Sequence, residues 1–263
     1  MKKDFEAATV EDFQRFVGLL KEQKKSPSTL DTYKEVLKVF YKWLNKGKGY
    51  PACVAWFKST NKHSHKLPES LLSQEDVKEM EKNALNLRDK ALISVLWESG
   101  ARIGEIGTLQ LKNIVFDEFG CKILVDGKTG MRRVRLVNSA PNLLEWINQH
   151  PERGNPNAFA FVNIEKTFAG RMHHRNMVAV LKKSGTRAKI QKPVNPHHFR
   201  HSRATYMAQF LTEAQLKEYF GWVQESKMAA QYVHLSGKQV DDAILRMHGL
   251  KEPDKKVRHF ETF

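Results

Sequence analysis

Along the first third of the chain, apolar residues recur every three or four positions, the period of a helix with one buried face. Val10, Phe13, Val17 and Leu20 share such a face, and Thr9 with Asp12 makes a capping-box start ahead of them. Ser26-Pro27-Ser28-Thr29 opens a second helix carrying Leu30, Tyr33, Leu37, Phe40 and Leu44, which Gly47 and Gly49 end. A short helix or turn around Val54, Trp56 and Phe57 completes a small all-helical module over residues 1–64. The polar, proline-containing run 62–68 is expected to be a linker. Beyond it, Ser73 with Asp76 and Asn86 with Asp89 cap two further helices. The second of these carries Ala91, Leu92, Val95 and Leu96 and stops at Gly100.

After Leu111 the period falls to two. Residues 114–116, 122–125 and 133–137 alternate as short strands, with turns at 118–120 and 126–130, so a small antiparallel sheet is expected among the helices. Helical spacing resumes at 143–148, and the proline-flanked run 151–156 is a loop. Helices follow at 176–183, 202–209, 213–220 and near 226–232. The expected architecture is mainly α: a helical module at 1–64, a mixed α+β domain at 65–250 with one small antiparallel sheet, and a tail at 251–263. No internal repeat or low-complexity segment interrupts it.

Composition narrows the class of protein. A chain of 263 residues with 41% hydrophobic content can bury a real core, which argues against disorder. No apolar run approaches the ~20 residues of a membrane span, and the opening Met1-Lys2-Lys3-Asp4-Phe5 lacks the apolar centre of a signal peptide. Cys53 and Cys121 are far apart and form no metal-ligand pattern, so a reducing cytoplasm is the expected compartment. Charge is the strongest global signal: 44 basic against 29 acidic residues give +15 and a pI near 9.7. Nucleic acid is the commonest partner of such a chain, with an anionic membrane surface behind it. Basic residues interspersed through folded segments, with no basic amphipathic tail, favour nucleic acid.

The densest chemistry lies in Pro196-His197-His198-Phe199-Arg200-His201-Ser202-Arg203-Ala204-Thr205. This stretch closes residues 166–212, which hold ten Lys/Arg and no acidic residue. Guanidinium binds phosphate oxygens bidentately, and a neighbouring imidazole can add a hydrogen bond or carry a proton. The stretch suggests a phosphate-handling site, although in isolation a solvated basic helix face is the better reading of it. A zinc site fits poorly, because the histidines have no nearby Cys or carboxylate.

Four further points fall in a fixed order around it: Arg102 just after a helix, Lys128 at a hairpin tip, Gly221-Trp222, and Tyr232 in Ala230-Gln231-Tyr232-Val233-His234-Leu235. With Gly100-Ala101-Arg102-Ile103-Gly104-Glu105, Gly127-Lys128-Thr129-Gly130 and His197-His198-Phe199-Arg200, this order resembles the tyrosine recombinase (phage integrase) family over residues 26–235. The ending Tyr232-Val233-His234-Leu235-Ser236-Gly237 and the Trp after Gly221 are most similar to archaeal integrases and Xer-like members. The resemblance implies a SAM-like helical core-binding domain followed by a catalytic domain of the DNA breaking-rejoining fold.

It also implies a chemistry. Tyr232 would attack a scissile phosphate of duplex DNA, giving a covalent 3′-phosphotyrosine and a free 5′-hydroxyl, with no metal, ATP or other cofactor. Arg102 and Arg200 would face the charge that builds on the non-bridging oxygens. Lys128 would protonate the leaving 5′-oxygen, and His197 would transfer a proton or hydrogen-bond the phosphate. Trp222 stands where many members carry His, offering an N–H donor and packing surface. The ten-residue step from Trp222 to Tyr232 is one longer than the commonest family pattern. Glu105 is expected to support Arg102 by pairing, and His198 and His201 to be structural or secondary phosphate contacts.

The expected activity is site-specific recombination (integration, excision or dimer resolution) by a homotetramer clamped on DNA. The alternatives are a non-cleaving DNA-binding regulator on the same fold and a type IB topoisomerase. The residues after Tyr232, with Val240, Ile244, Leu245 and Met247 on one face, read either as a helix exchanged between neighbours or as one docked on its own domain.

Overall fold

The computed structural model describes residues 4–58, 70–164, 170–226, 228–235, 244–245 and 248–250. The expected linker at 62–68 lies wholly outside them, and so do Val240 and Met247 of the tail. The chain divides into two compact units, Met1–His65 and Lys66–Phe263.

In the first unit, α1 (Val10–Glu22), α2 (Pro27–Leu44) and α3 (Ala52–Ala55) pack around Phe13, Val17, Tyr41, Val54 and Phe57. Thr9 and Asp12 form the capping box, and the Ser26 side chain accepts from the Thr29 amide, so two helix starts rest on the residues their sequence names. Edge-on ring contacts of Phe13 with Tyr41 and Phe57, at 5.3 and 5.8 Å, fix the centre. The inner face of α2 is rotated from the stripe its apolar spacing predicts. Tyr33 is exposed, whereas Asp31 and Tyr41 are buried. Asp31 is held by Lys34 at 3.4 Å, and Tyr41 donates its hydroxyl to the Phe5 carbonyl. A paired carboxylate and a bonded phenol can lie inside where a hydrophobicity count does not place them.

The second unit is built around α5 (Leu87–Ser99), which is buried on every side. It packs against α4 (Gln74–Lys82), α7 (Ala140–Asn148), α8 (His174–Arg187) and α9 (Pro196–Met207), and against the sheet. The sheet is antiparallel in the order β1 (Ile114–Asp117), β2 (Gly120–Gly127), β3 (Gly130–Leu136). Alternation sends Cys121, Ile123 and Val125 of β2 and Val134 and Leu136 of β3 into the core. The strands run longer than the alternation alone suggests, because β2 and β3 stay paired as far as Gly127 and Gly130, leaving Lys128-Thr129 as a two-residue turn. The third strand also ends at Leu136. Residues 137–139 instead turn their amides onto the buried Glu98 carboxylate, at 2.7 to 3.0 Å, at the start of α7.

α9 begins at Pro196, six residues before the start expected at 202. Proline suits the first helical position, and the Asn195 side chain caps the His198 amide at 2.9 Å. α6 (Ile103–Gly107), α10 (Glu213–Phe220) and α11 (Met228–Leu235) complete the unit. No helix among the described residues is long and apolar enough to cross a membrane.

Candidate active site

Local sequence places Arg102, Lys128 and Trp222 at the ends of elements. Gly100 closes α5 in the left-handed conformation (φ 54°), and a side chain there would run into the Phe220 ring. The reversal makes Arg102 the N-cap of α6, where its own amide donates to Glu105 Oε2 at 2.9 Å and its Nη1 to Oε1 at 2.8 Å. Glu105 is buried, and its Oε2 also takes Arg132 Nη2 at 2.7 Å. Burial pushes this carboxyl up. The bonds from Arg132 and Arg102 outweigh it and hold the carboxyl below its ordinary 4.5. Pairing of Glu105 with Arg102, expected from sequence, is thus present in detail.

Arg200 lies one turn into α9 and is almost wholly buried. Its Nη1 donates to the Gly100 carbonyl at 2.8 Å and its Nη2 to the Phe220 carbonyl. The guanidinium lies 5.1 Å from the centre of the Phe220 ring and 5.5 Å from that of Trp222. Burial, with the charge of Arg102 second, lowers its pKa from 12.5 to about 10. Two arginines close enough to repel define a spot where an anion is wanted.

Tyr232, on α11, completes a ladder of rings. Phe220 stacks on Trp222 at 4.9 Å, and Trp222 on Tyr232 at 5.4 Å with only 6° between planes. His201 meets the Tyr232 ring from the other side at 5.1 Å. The phenol is 5% exposed; burial raises its pKa above 10, and the Arg200 charge partly opposes the rise. Tyr232 is therefore both a core aromatic and a neighbour of Arg200.

Lys128 is exposed at the two-residue turn between β2 and β3. With Arg102, Lys112 and Arg171 it lines one side of an open cavity of about 800 Å³, which Glu105 and Asp126 also border. His197 is exposed in the first turn of α9, three residues before Arg200. His198 is fully buried and bonds the Ser70 carbonyl at 2.7 Å, so it is structural, and a phosphate contact through it is ruled out. The folded chain thus gathers Arg200, Trp222 and Tyr232 tightly, and Arg200 bonds the Gly100 carbonyl two residues before Arg102. Lys128 shares the cavity of Arg102, and His197 stands at the surface end of the helix that carries Arg200.

Comparison with known proteins decides the family. Residues 70–239 match the phage integrase family model, a span holding all six candidate residues. The chain belongs to the phage integrase family. The tyrosine recombinase XerA of Pyrococcus horikoshii is 26% identical over 97% of this chain and 82% of its own length. XerC of Natranaerobius thermophilus is 27% identical over 93% and 84%. Among solved structures, XerH recombinase in a post-cleavage complex with palindromic difH substrate superposes with TM-score 0.72 at 18% identity, over 93% of this chain and 74% of that one. A lambda integrase dimer bound to a COC′ core site gives 0.69 at 13%, over 89% and 67%. Family and fold are therefore those the motif order implied.

Arg132 belongs to none of the motifs quoted from the sequence. It is the third member of the Glu105 cluster, and it also donates through Nε to the Tyr219 carbonyl at 2.9 Å. A signal was available: in β3 it lies two and four residues before the core residues Val134 and Leu136, on their face of the sheet.

Proposed function

We propose that this family member is a site-specific DNA recombinase that cuts and rejoins duplex DNA through a 3′-phosphotyrosine at Tyr232. The observation that carries the reading is the run of contacts in one chain from Tyr232 to Trp222 and from Trp222 to Arg200, whose guanidinium also bonds the Gly100 carbonyl two residues before Arg102. The Tyr232 oxygen attacks the scissile phosphorus, and the bond to the 5′-oxygen breaks. Arg102, oriented by Glu105, and Arg200, oriented by the Gly100 and Phe220 carbonyls, meet the charge on the non-bridging oxygens. Lys128 hands a proton to the departing 5′-oxygen, and His197 serves the phosphate as hydrogen-bond donor or proton carrier. Trp222 holds the nucleophile's ring and, through its indole N–H, can donate to the phosphate. The bond energy stays in the aryl phosphodiester, so the 5′-hydroxyl of another strand reopens it in the reverse step.

Duplex DNA is the substrate, and exchange between two sites calls for four protomers. In this reading the helical module at 1–64 and the catalytic domain at 65–250 close on the duplex together, and the cytoplasm is the compartment. The complete set of site residues weighs against a non-cleaving regulator. A nicked duplex carrying the target site, from which the cut end diffuses away, traps the covalent intermediate. The expected result is a protein–DNA adduct with the wild type and none with Tyr232→Phe, which still binds the DNA. An undiminished adduct from that variant overturns the assignment.

A further inference from the structure

Three consecutive carbonyls at the C-terminal end of α10 each receive a side chain from a different part of the site. Arg132 Nε donates to Tyr219 O at 2.9 Å, Arg200 Nη2 to Phe220 O, and Thr129 Oγ1 to Gly221 O at 2.9 Å. The last carbonyls of a helix lack intrahelical partners and carry its negative dipole end, so cationic and hydroxyl donors are favourable there. Two of the three donors belong to the hairpin that presents Lys128, Thr129 in its turn and Arg132 in β3 just beyond it. The next residue after the carbonyls is Trp222, which stacks on Tyr232.

Arg132 is the anchor of this arrangement. Its side chain is 9% exposed, and it spends Nη2 on the Glu105 carboxylate that orients Arg102. Its Nη1 is buried without a hydrogen-bond partner among the described residues. Leaving a buried donor unsatisfied costs stability, and a buried ion pair is often no better than apolar packing, so stability alone is a weak reason for an arginine here. Gly221 accommodates it: at φ 59° a side chain would press on Arg132, its Cβ 3.1 Å from Cδ and Nη1. Lysine lacks the planar fork that here sets Nε on Tyr219 and Nη2 on Glu105 at once.

We propose that Arg132 is a positioning residue for strand cleavage, seating the Lys128 hairpin on the C-terminal end of α10 so that the leaving-group acid is held in register with the Trp222–Tyr232 segment. The inference rests on the reading of Lys128 as that acid. It assigns Arg132 no contact with the reacting atoms; its effect on the leaving group passes through Lys128, and Thr129→Val reads that route apart from the Glu105–Arg102 pair.

A substrate whose 5′-bridging oxygen is replaced by sulfur tests it, because a thiolate leaves without a proton and cleavage no longer needs the acid. With ordinary nicked duplex, Lys128→Ala and Arg132→Ala are each expected to slow covalent adduct formation by about 100-fold, in the range of general-acid contributions. Thr129→Val, at an exposed position, removes the Gly221 contact without touching the buried cluster and is expected to slow it by about tenfold, a part of that effect. On the sulfur substrate all three are expected to return to within about fivefold of wild type, if proton donation is what each has lost. Rescue of Lys128→Ala without rescue of either Arg132→Ala or Thr129→Val overturns the inference and leaves Lys128 as the acid. Failure to rescue Lys128→Ala overturns the Lys128 reading itself, and the inference with it. Thr129→Val keeps the test decisive if Arg132→Ala does not fold.

Discussion

Glu105 is the residue on which the site's charge balance turns. Two guanidiniums, from Arg102 and Arg132, converge on its buried carboxylate, which sits below its ordinary pKa. A carboxyl depressed in the folded state stabilises above the unfolded value of about 4.5, and that contribution is lost as pH falls through the folded value. Urea unfolding of Glu105→Gln is therefore expected to show a deficit of about 3 kcal/mol at neutral pH, since the buried Arg132 loses its partner and the half-exposed Arg102 loses its own. The gap should narrow only below pH 4.5, where the wild type protonates as well; a gap that widens on acidification contradicts this account. At this scale the sequence was partly legible. Arg102, Arg200 and Tyr232 announce themselves by spacing, because the chemistry needs those residue types. Arg132 does not, since a strand arginine beside a turn usually faces solvent, and its inward direction depends on which face of the sheet is covered. His198 was equally ambiguous beside His197 until α9 turned one inward to Ser70 and left the other at the surface.

Elements deliver these side chains through their ends. α5 stops at Gly100, α6 starts at Arg102, the β2–β3 turn carries Lys128, and α10 stops at Gly221 just before Trp222. One of the tightest of these junctions is Gly100, which is left-handed and pressed against Phe220, the ring above which Arg200 lies. Gly100→Ala is expected to cost at least about 2 kcal/mol in thermal or urea unfolding, from backbone strain and overpacking together. A change below about 0.5 kcal/mol, the size of an indifferent surface substitution, would show that the junction is looser than described. Most helix starts could be read from their caps, as at Thr9, Ser26, Ser73 and Asn86. α5 gave a capped start and a glycine stop but little face, because a helix buried on all sides has no polar side to mark. Asp31 and Tyr41 in α2 escaped notice for the opposite reason: their polar atoms are satisfied internally.

At the scale of the molecule, Tyr232 stacks on Trp222, over which Arg200 of the same chain lies, so the proposed function takes the nucleophile from the chain whose arginine it neighbours. Mixing Arg200→Ala with Tyr232→Phe protomers on one DNA site should then yield no adduct, because neither protein has a complete site; adduct formation by the mixture would mean that the tyrosine is donated to a neighbour. The whole-molecule function was legible because one reaction fixes several residue types at once, in an order that outlasts low overall identity. Pairing of surfaces between protomers leaves no such pattern. The central claim is the covalent bond itself, and the most direct measurement is mass spectrometry of the protein trapped on a nicked duplex, digested with nuclease and protease. The account predicts the added nucleotide mass on the peptide containing Tyr232. Finding it on Tyr206 or Tyr219, or finding strand cleavage with no nucleotide attached to the protein, would contradict it.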